Sequence, residues 1–337
     1  MSRRVLHVTG QFFPVMGGIE SHVYEVTRRL PGLGWDCAVL TTDNTHALPR
    51  TDEVDGIPVT RVRAWPRRRD WRCAPGLVPA VRRARPDLVH VQGVHTLVPA
   101  FAMLAALLAR VPYVVTFHTG GHSSAARVAV RGLQWRLLRP LLARAERLVC
   151  VASFERDHFA SVLRLPANRF DVVPNGGRLP DVGPGLEMTP EPTVLCVGRL
   201  ERYKGQHRLL AAWPAVLRQI PDARLLLIGS GPEEAALHRQ AADLRVGSSV
   251  EIRAIDPRDR AEMARTVASA HVFALLSTYE AHPVAVMEAI SLGRPALVTA
   301  TSGLQELADK GWAQSVALAT PADAVAERLV DLLRHPV

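Results

Sequence analysis

Apolar residues follow two alternating patterns along the chain. Short β-branched runs at Arg4–Val8, Cys37–Thr41, Leu88–Val91 and Tyr113–Phe117 are interleaved with longer stretches of helical period at Gly18–Leu30 and Leu97–Ala109. Strand followed by helix, repeated in this way, predicts a parallel sheet with right-handed crossovers, so the first half reads as a doubly wound α/β domain. The pattern resumes with strand Thr193–Val197, helix Gln206–Gln219, strand Leu225–Ile228, helix Glu233–Leu244, strand Val272–Leu275 and helix Val284–Leu292. Between the halves, Pro174–Pro192 holds five prolines and four glycines in nineteen residues, too many breakers for a helix or a central strand. The expected organisation is therefore a Rossmann-like domain over 1–175, a linker over 176–192 and a second Rossmann-like domain over 193–337. Ligands of open α/β sheets bind beyond the carboxyl ends of the strands, so two such domains facing each other predict a cleft with a strand-end surface on each wall.

Length and composition agree with two folded domains: 337 residues, 48% hydrophobic and 22% charged. The most apolar stretch, Val98–Phe117, is broken by Arg110 and Pro112, which excludes a membrane span there. The opening MSRRVLHVTG is too short in apolar residues for a signal peptide. Cys37, Cys73, Cys150 and Cys196 lie far apart with no paired spacing, and read as four buried thiols of a cytoplasmic chain. A net charge of +9 points to an anionic partner. Its arginines are scattered and no aromatic-interleaved basic patch occurs, which argues against nucleic acid.

Five motifs carry chemistry. Gly17 and Gly18 follow the first strand and open the first helix, where paired glycines let backbone N–H groups approach a phosphate; a tight strand-to-helix turn needs the same glycines. In Gly198-Arg199-Leu200-Glu201-Arg202-Tyr203-Lys204-Gly205, Arg199 and Lys204 flank a strand-to-helix turn, a fork donor and a point charge suited to a diphosphate. Only Lys204 and Lys310 are lysines, so a lysine at this turn is unusual for surface filler. Gly229-Ser230-Gly231-Pro232 opens a further helix but makes a poor dinucleotide fingerprint, with Glu234 at the third glycine position. Glu280 lies in a loop after a strand and Glu288 in the apolar helix VAVMEAISL, so Glu288 should be partly buried and partnered. His118 closes the strand Tyr113–Phe117 at its carboxyl end, where a histidine is placed for catalysis, although a lone histidine is more often structural.

Taken in order, the Pro14–Gly18 turn, His118, Gly198–Gly205 and the pair Glu280/Glu288 resemble the retaining nucleotide-sugar glycosyltransferases of family 4, whose fold is GT-B. Pro86-Asp87-Leu88-Val89-His90, Val173-Pro174-Asn175-Gly176 and Gly293-Arg294-Pro295 occur in the same order in that family. The resemblance implies an acceptor-binding N-terminal domain and a nucleotide-sugar-binding C-terminal one. It implies that Arg199 and Lys204 take the donor diphosphate with backbone help from Gly17 and Gly18, that Glu288 holds the ribose, and that Ala254 and Ile255 meet the base. Glu280 and His118 would be the catalytic residues, Glu280 binding hydroxyls of the transferred sugar and His118 sitting beside the donor sugar and the acceptor, while His282 and Val284 would bind the donor. Glu280-Ala281-His282-Pro283 departs from the family's Glu-Gly-Phe-Gly, removing a backbone donor at Pro283.

The activity so implied is retaining transfer of a hexose or N-acetylhexosamine from a UDP-sugar, with UDP-GlcNAc favoured over a GDP-sugar, to a small soluble acceptor such as a cyclitol, an aminocyclitol or a natural product. No Asp-x-Asp occurs in the sequence, which predicts catalysis with neither metal nor other cofactor. Two alternatives stand beside it: a peripheral membrane enzyme on the inner face acting on a lipid-linked acceptor, and a non-catalytic sugar-binding protein. In the basic, apolar segment after Ala125, Arg127 and Arg131 project with Leu138 and Leu142 at helical spacing and Pro140 interrupts the helix, so membrane contact is expected to be weak or absent.

Overall fold

A computed structural model describes residues 3–15, 17–67, 72–118, 125–183, 188–256 and 258–335. Met16 and Thr119, which flank two of the motifs, and part of the proline-rich stretch lie outside them, as do the side chains of Arg127 and Arg131. The chain divides into two compact units that part between Pro174 and Asn175. Each is a Rossmann-like α/β unit.

In the first unit, β1 (Arg3–Val8), α1 (Gly18–Thr27) and β2 (Trp35–Asp43) are followed by a hairpin of β3 (Thr51–Val54) and β4 (Ile57–Arg63). Next come α2 (Leu77–Ala84), β5 (Leu88–Gln92), α3 (Val98–Ala109), β6 (Tyr113–Thr116), α4 (Ala125–Leu142), β7 (Arg147–Cys150), α5 (Ser153–Leu163) and β8 (Phe170–Val172). They form one sheet in the order β3-β4-β2-β1-β5-β6-β7-β8. All pairings are parallel except β3 with β4. The hairpin turns on Asp55-Gly56, both at positive φ (47° and 80°), a tight turn whose twist matches the strands it joins. Alternate strand residues supply two cores. Leu6, Val8, Leu40, Val89, Val91 and Val115 pack with α2 to α5, while Val39, Ile57 and Val59 pack with Phe12, Phe13, Val23 and Tyr24 around α1.

The second unit runs β9 (Thr193–Val197), α6 (Gln206–Gln219), β10 (Arg224–Ile228), α7 (Glu234–Asp243), β11 (Val250–Arg253), α8 (Arg260–Ser269) and β12 (Val272–Leu275). It continues through α9 (Val284–Ser291), β13 (Ala296–Thr299), α10 (Ser302–Asp309), β14 (Gln314–Val316) and α11 (Ala322–Arg334). Its sheet is wholly parallel, in the order β11-β10-β9-β12-β13-β14. The order reverses between β9 and β12, which is where a doubly wound sheet opens its ligand crevice. Leu179, from the stretch expected to be a linker, is buried in this unit's core.

Two expectations fail. Helix α4 runs through Pro140 instead of stopping there. The proline is exposed, so the carbonyl it leaves unpaired can face water, and Ala143 N–H resumes the ladder by donating to Arg139 O at 2.8 Å. Cys73 is only partly buried, because it sits in an isolated bridge with Trp65, outside the strands; the other three thiols are buried as expected. A further regularity went unread. Helices α2, α3 and α5 each end on an arginine in the left-handed region, Arg85, Arg110 and Arg164, where glycine is the usual residue.

Candidate active site

The loops after β9 and β12 flank the reversal in the second sheet, and two of the residues singled out from sequence, Lys204 and Glu280, meet there. Lys204 Nζ lies 2.7 Å from Glu280 Oε1, and the same oxygen accepts a 2.7 Å bond from Ser277 Oγ. Both charged side chains are largely buried, with 17% and 9% of their area exposed. Burial works against the Lys204 ammonium, but the Glu280 carboxylate offsets it and holds the lysine pKa above its usual value. Glu280 is fixed at its backbone too: its N–H donates to Ser302 Oγ at 2.9 Å and its carbonyl accepts from Gly303 N–H at 2.9 Å.

Two glycines make this packing possible. At Gly205, φ is +79° and a Cβ would stand 2.0 Å from Leu276 O; at Gly303 it would stand 1.5 Å from Ala281 O. Any side chain would push α6 or α10 off the loop after β12. Arg199 stands out from this cluster, 68% exposed, with Glu201 Oε1 3.0 Å from its guanidinium. Its loop is braced by Leu200 N–H donating to Ser230 O and Glu233 N–H donating to Leu200 O, both at 3.0 Å, which gives the Gly229–Gly231 turn a structural role.

Glu288 is buried in α9 and partnered, as its apolar helix predicts: Arg260 Nη2 approaches its Oε1 at 2.5 Å. Val284, half-buried, is the first residue of the same helix. His282 is buried with neither ring nitrogen hydrogen-bonded; burial, with Lys310 adding, pushes its pKa down to about 4. Its carbonyl accepts from Asn175 Nδ2 at 2.8 Å. Ala254 and Ile255 follow β11, the first exposed and the second buried. The sequence reading missed Arg260, Ser277 and Ser302, although each touches a residue it chose.

In the first unit, Gly17 caps α1 in an extended conformation with its carbonyl accepting from Ser21 N–H, and Gly18 is exposed. His118 is buried, not an open strand-end group. Its Nε2 lies 2.9 Å from Gln92 Oε1, its ring stands edge-on to His22 at 4.9 Å, and its carbonyl meets His95 Nε2. Burial, with His22, His90 and His95 adding, holds its imidazole well below the usual histidine value, so the ring is neutral at physiological pH. In the second unit, a buried cation held against a carboxylate at the strand ends suits the binding of an anionic, hydroxyl-rich ligand.

Residues 16–177 match the family model "Glycosyltransferase Family 4" and residues 184–336 match "Glycosyl transferases group 1". The GDP-mannose:cellobiosyl-diphosphopolyprenol alpha-mannosyltransferase of Komagataeibacter xylinus is 28% identical over 319 residues, 92% of this chain and 79% of that protein. The D-inositol 3-phosphate glycosyltransferase of Frankia alni is 28% identical over 359 residues, 95% and 86% of the two chains. Among solved structures, Anabaena Alr3699/HepE in complex with UDP and glucose superposes with a TM-score of 0.76 at 19% identity, over 99% of this chain and 90% of that one, a likeness of fold.

Proposed function

The chain belongs to glycosyltransferase family 4 and has its GT-B fold, and from that premise we propose that it transfers a hexose or N-acetylhexosamine from a UDP-sugar, with retention and without a metal, to the hydroxyl of a small soluble acceptor. The observation that carries this reading is the Lys204–Glu280–Ser277 cluster at the reversal of the second sheet. Negative charge grows on the diphosphate as it leaves, and Lys204, Arg199 and the helix N-termini at the strand ends would meet it. Glu280, held at both backbone groups and one carboxylate oxygen, would present its other oxygen to sugar hydroxyls. Glu288 would take the ribose, with Arg260 fixing its carboxylate, and Ala254 and Ile255 would meet the base. His282 and Val284 would line the sugar and phosphate, and Gly17 and Gly18 would lend amides to the donor. In the first unit, His118 would contact the transferred sugar or the acceptor. The inositol phosphate activity in the Frankia protein's name supports a cyclitol acceptor.

A second reading has its own support. Leu133 and Leu137 are exposed on α4 beside exposed Arg136 and Arg139, and the Komagataeibacter protein is named for a polyprenol-linked acceptor and a GDP-sugar. Among the described residues no helix is long and apolar enough to cross a membrane, so this reading is a peripheral one.

Calorimetry with UDP, GDP and their sugars, followed by a released-nucleotide assay with soluble polyols and with polyprenol-linked acceptors, tests both readings. We expect UDP binding that survives EDTA and weakens by about 1.5–3 kcal/mol in Arg199→Ala. Binding of GDP alone, or turnover confined to the lipid-linked acceptor, establishes the second reading; no nucleotide binding sinks both.

A further inference from the structure

On the α1 side of the first sheet, the strand ends carry polar groups where apolar ones are the rule. His7 on β1 and His90 on β5 are opposite each other in register, and Gln92 on β5 is opposite Thr116 on β6. The period-two alternation of a strand brings His90 and Gln92, and Thr116 and His118, to the same side. Their side chains bond to one another: His90 Nε2 lies 2.7 Å from Thr116 Oγ1, and Gln92 spans His118 and His7. Gln92 Oε1 is 2.9 Å from His118 Nε2, while Gln92 Nε2 is 3.4 Å from His7 Nδ1. Gln92 and His7 are fully buried.

With the Gln92 amide in this orientation, the order of atoms sets where protons reside. An amide oxygen only accepts and an amide nitrogen only donates, whereas a neutral imidazole has one nitrogen of each kind. The contact to Gln92 Oε1 therefore requires the His118 proton on Nε2, and the contact from Gln92 Nε2 requires His7 Nδ1 to be the acceptor. We propose that Gln92, braced by His7, is a positioning residue that holds His118 as its Nε2–H tautomer and leaves Nδ1 as the ring's hydrogen-bond acceptor. Given the proposed function, on which this rests, His118 then accepts a hydrogen bond from a hydroxyl of the sugar or acceptor at Nδ1 and cannot donate one there.

Nitrogen-15 spectra of the histidine rings near neutral pH report the tautomer without any substrate. The native protein is expected to show His118 protonated on Nε2. Gln92→Leu should yield a mixture of tautomers and about a tenfold loss of kcat with little change in donor KM, the scale of one hydrogen bond. Gln92→Glu keeps the acceptor toward His118, and with His7 turning to its Nδ1–H tautomer to donate to the carboxylate it should restore the Nε2–H form of His118 and most of the turnover. A native His118 protonated on Nδ1, or a folded Gln92→Leu variant with the tautomer unchanged, overturns the proposal without touching the proposed function. A fully active His118→Ala variant overturns the functional assignment of His118, and the catalytic sense of the proposal with it, whatever the spectra show.

Discussion

Lys204 and Glu280 show how one pair can serve fold and ligand together. Truncating the lysine strands a buried carboxylate that keeps, among the described residues, Ser277 as its side-chain donor, a loss of the kind that destabilises by about 3–5 kcal/mol. Neutralising both partners removes the stranded charge. Lys204→Ala should therefore melt well below the native protein, and Lys204→Met with Glu280→Gln should recover much of the difference, while nucleotide affinity stays low in both. Chemical denaturation alongside calorimetry separates the two effects. A double variant no more stable than the single one would show that the carboxylate was never left uncompensated. The residues chosen from sequence were legible because their chemistry was rare: a lysine in a chain with two, and a glutamate in an apolar helix. Arg260 was not, being one of many arginines and 28 positions from the carboxylate it holds. Gln92 was hidden likewise, since its partners come from neighbouring strands far away in the chain.

Among elements, β9, β12 and their following helices were read to within a residue, because buried parallel strands are continuous apolar runs. Strands β3, β4, β7, β8, β11, β13 and β14 escaped, and three of them are marginal. β3 is polar, β11 alternates at an edge, and β14 is three residues long. The helix ends were equally opaque, since arginine is not a stop signal. A left-handed conformation strains any residue with a Cβ by about 1–2 kcal/mol. Replacing Arg85, Arg110 and Arg164 with glycine should therefore stabilise by roughly 0.5–1 kcal/mol at each site once glycine's greater unfolded-state freedom is subtracted. Thermal melts of the triple variant are expected to shift upward; an unchanged or lower midpoint would mean that the arginine side chains supply as much as the strain removes.

Across the whole molecule, buried and half-buried histidines make stability depend on acidity. His22 and His90 are pushed down to about 4 and about 3 in the first unit, and His207 and His282 to about 4 in the second, in each case chiefly by burial. A group whose folded pKa lies below its unfolded value binds more protons when unfolded, so stability is retained above about pH 6.5 and drains away as pH falls toward 4. Melting temperature measured over that window should fall steadily in buffers of constant ionic strength; a flat profile would mean that these rings are solvated. The scarcity of lysine has a different reach. Of the two ε-amines, Lys310 is exposed, whereas Lys204 is held protonated against Glu280. Among lysine side chains, amine-directed acylating reagents will therefore modify Lys310 first, so a surface coupled through lysine would tether the protein mainly by α10's carboxyl end and leave the Lys204 loop untouched by the chemistry.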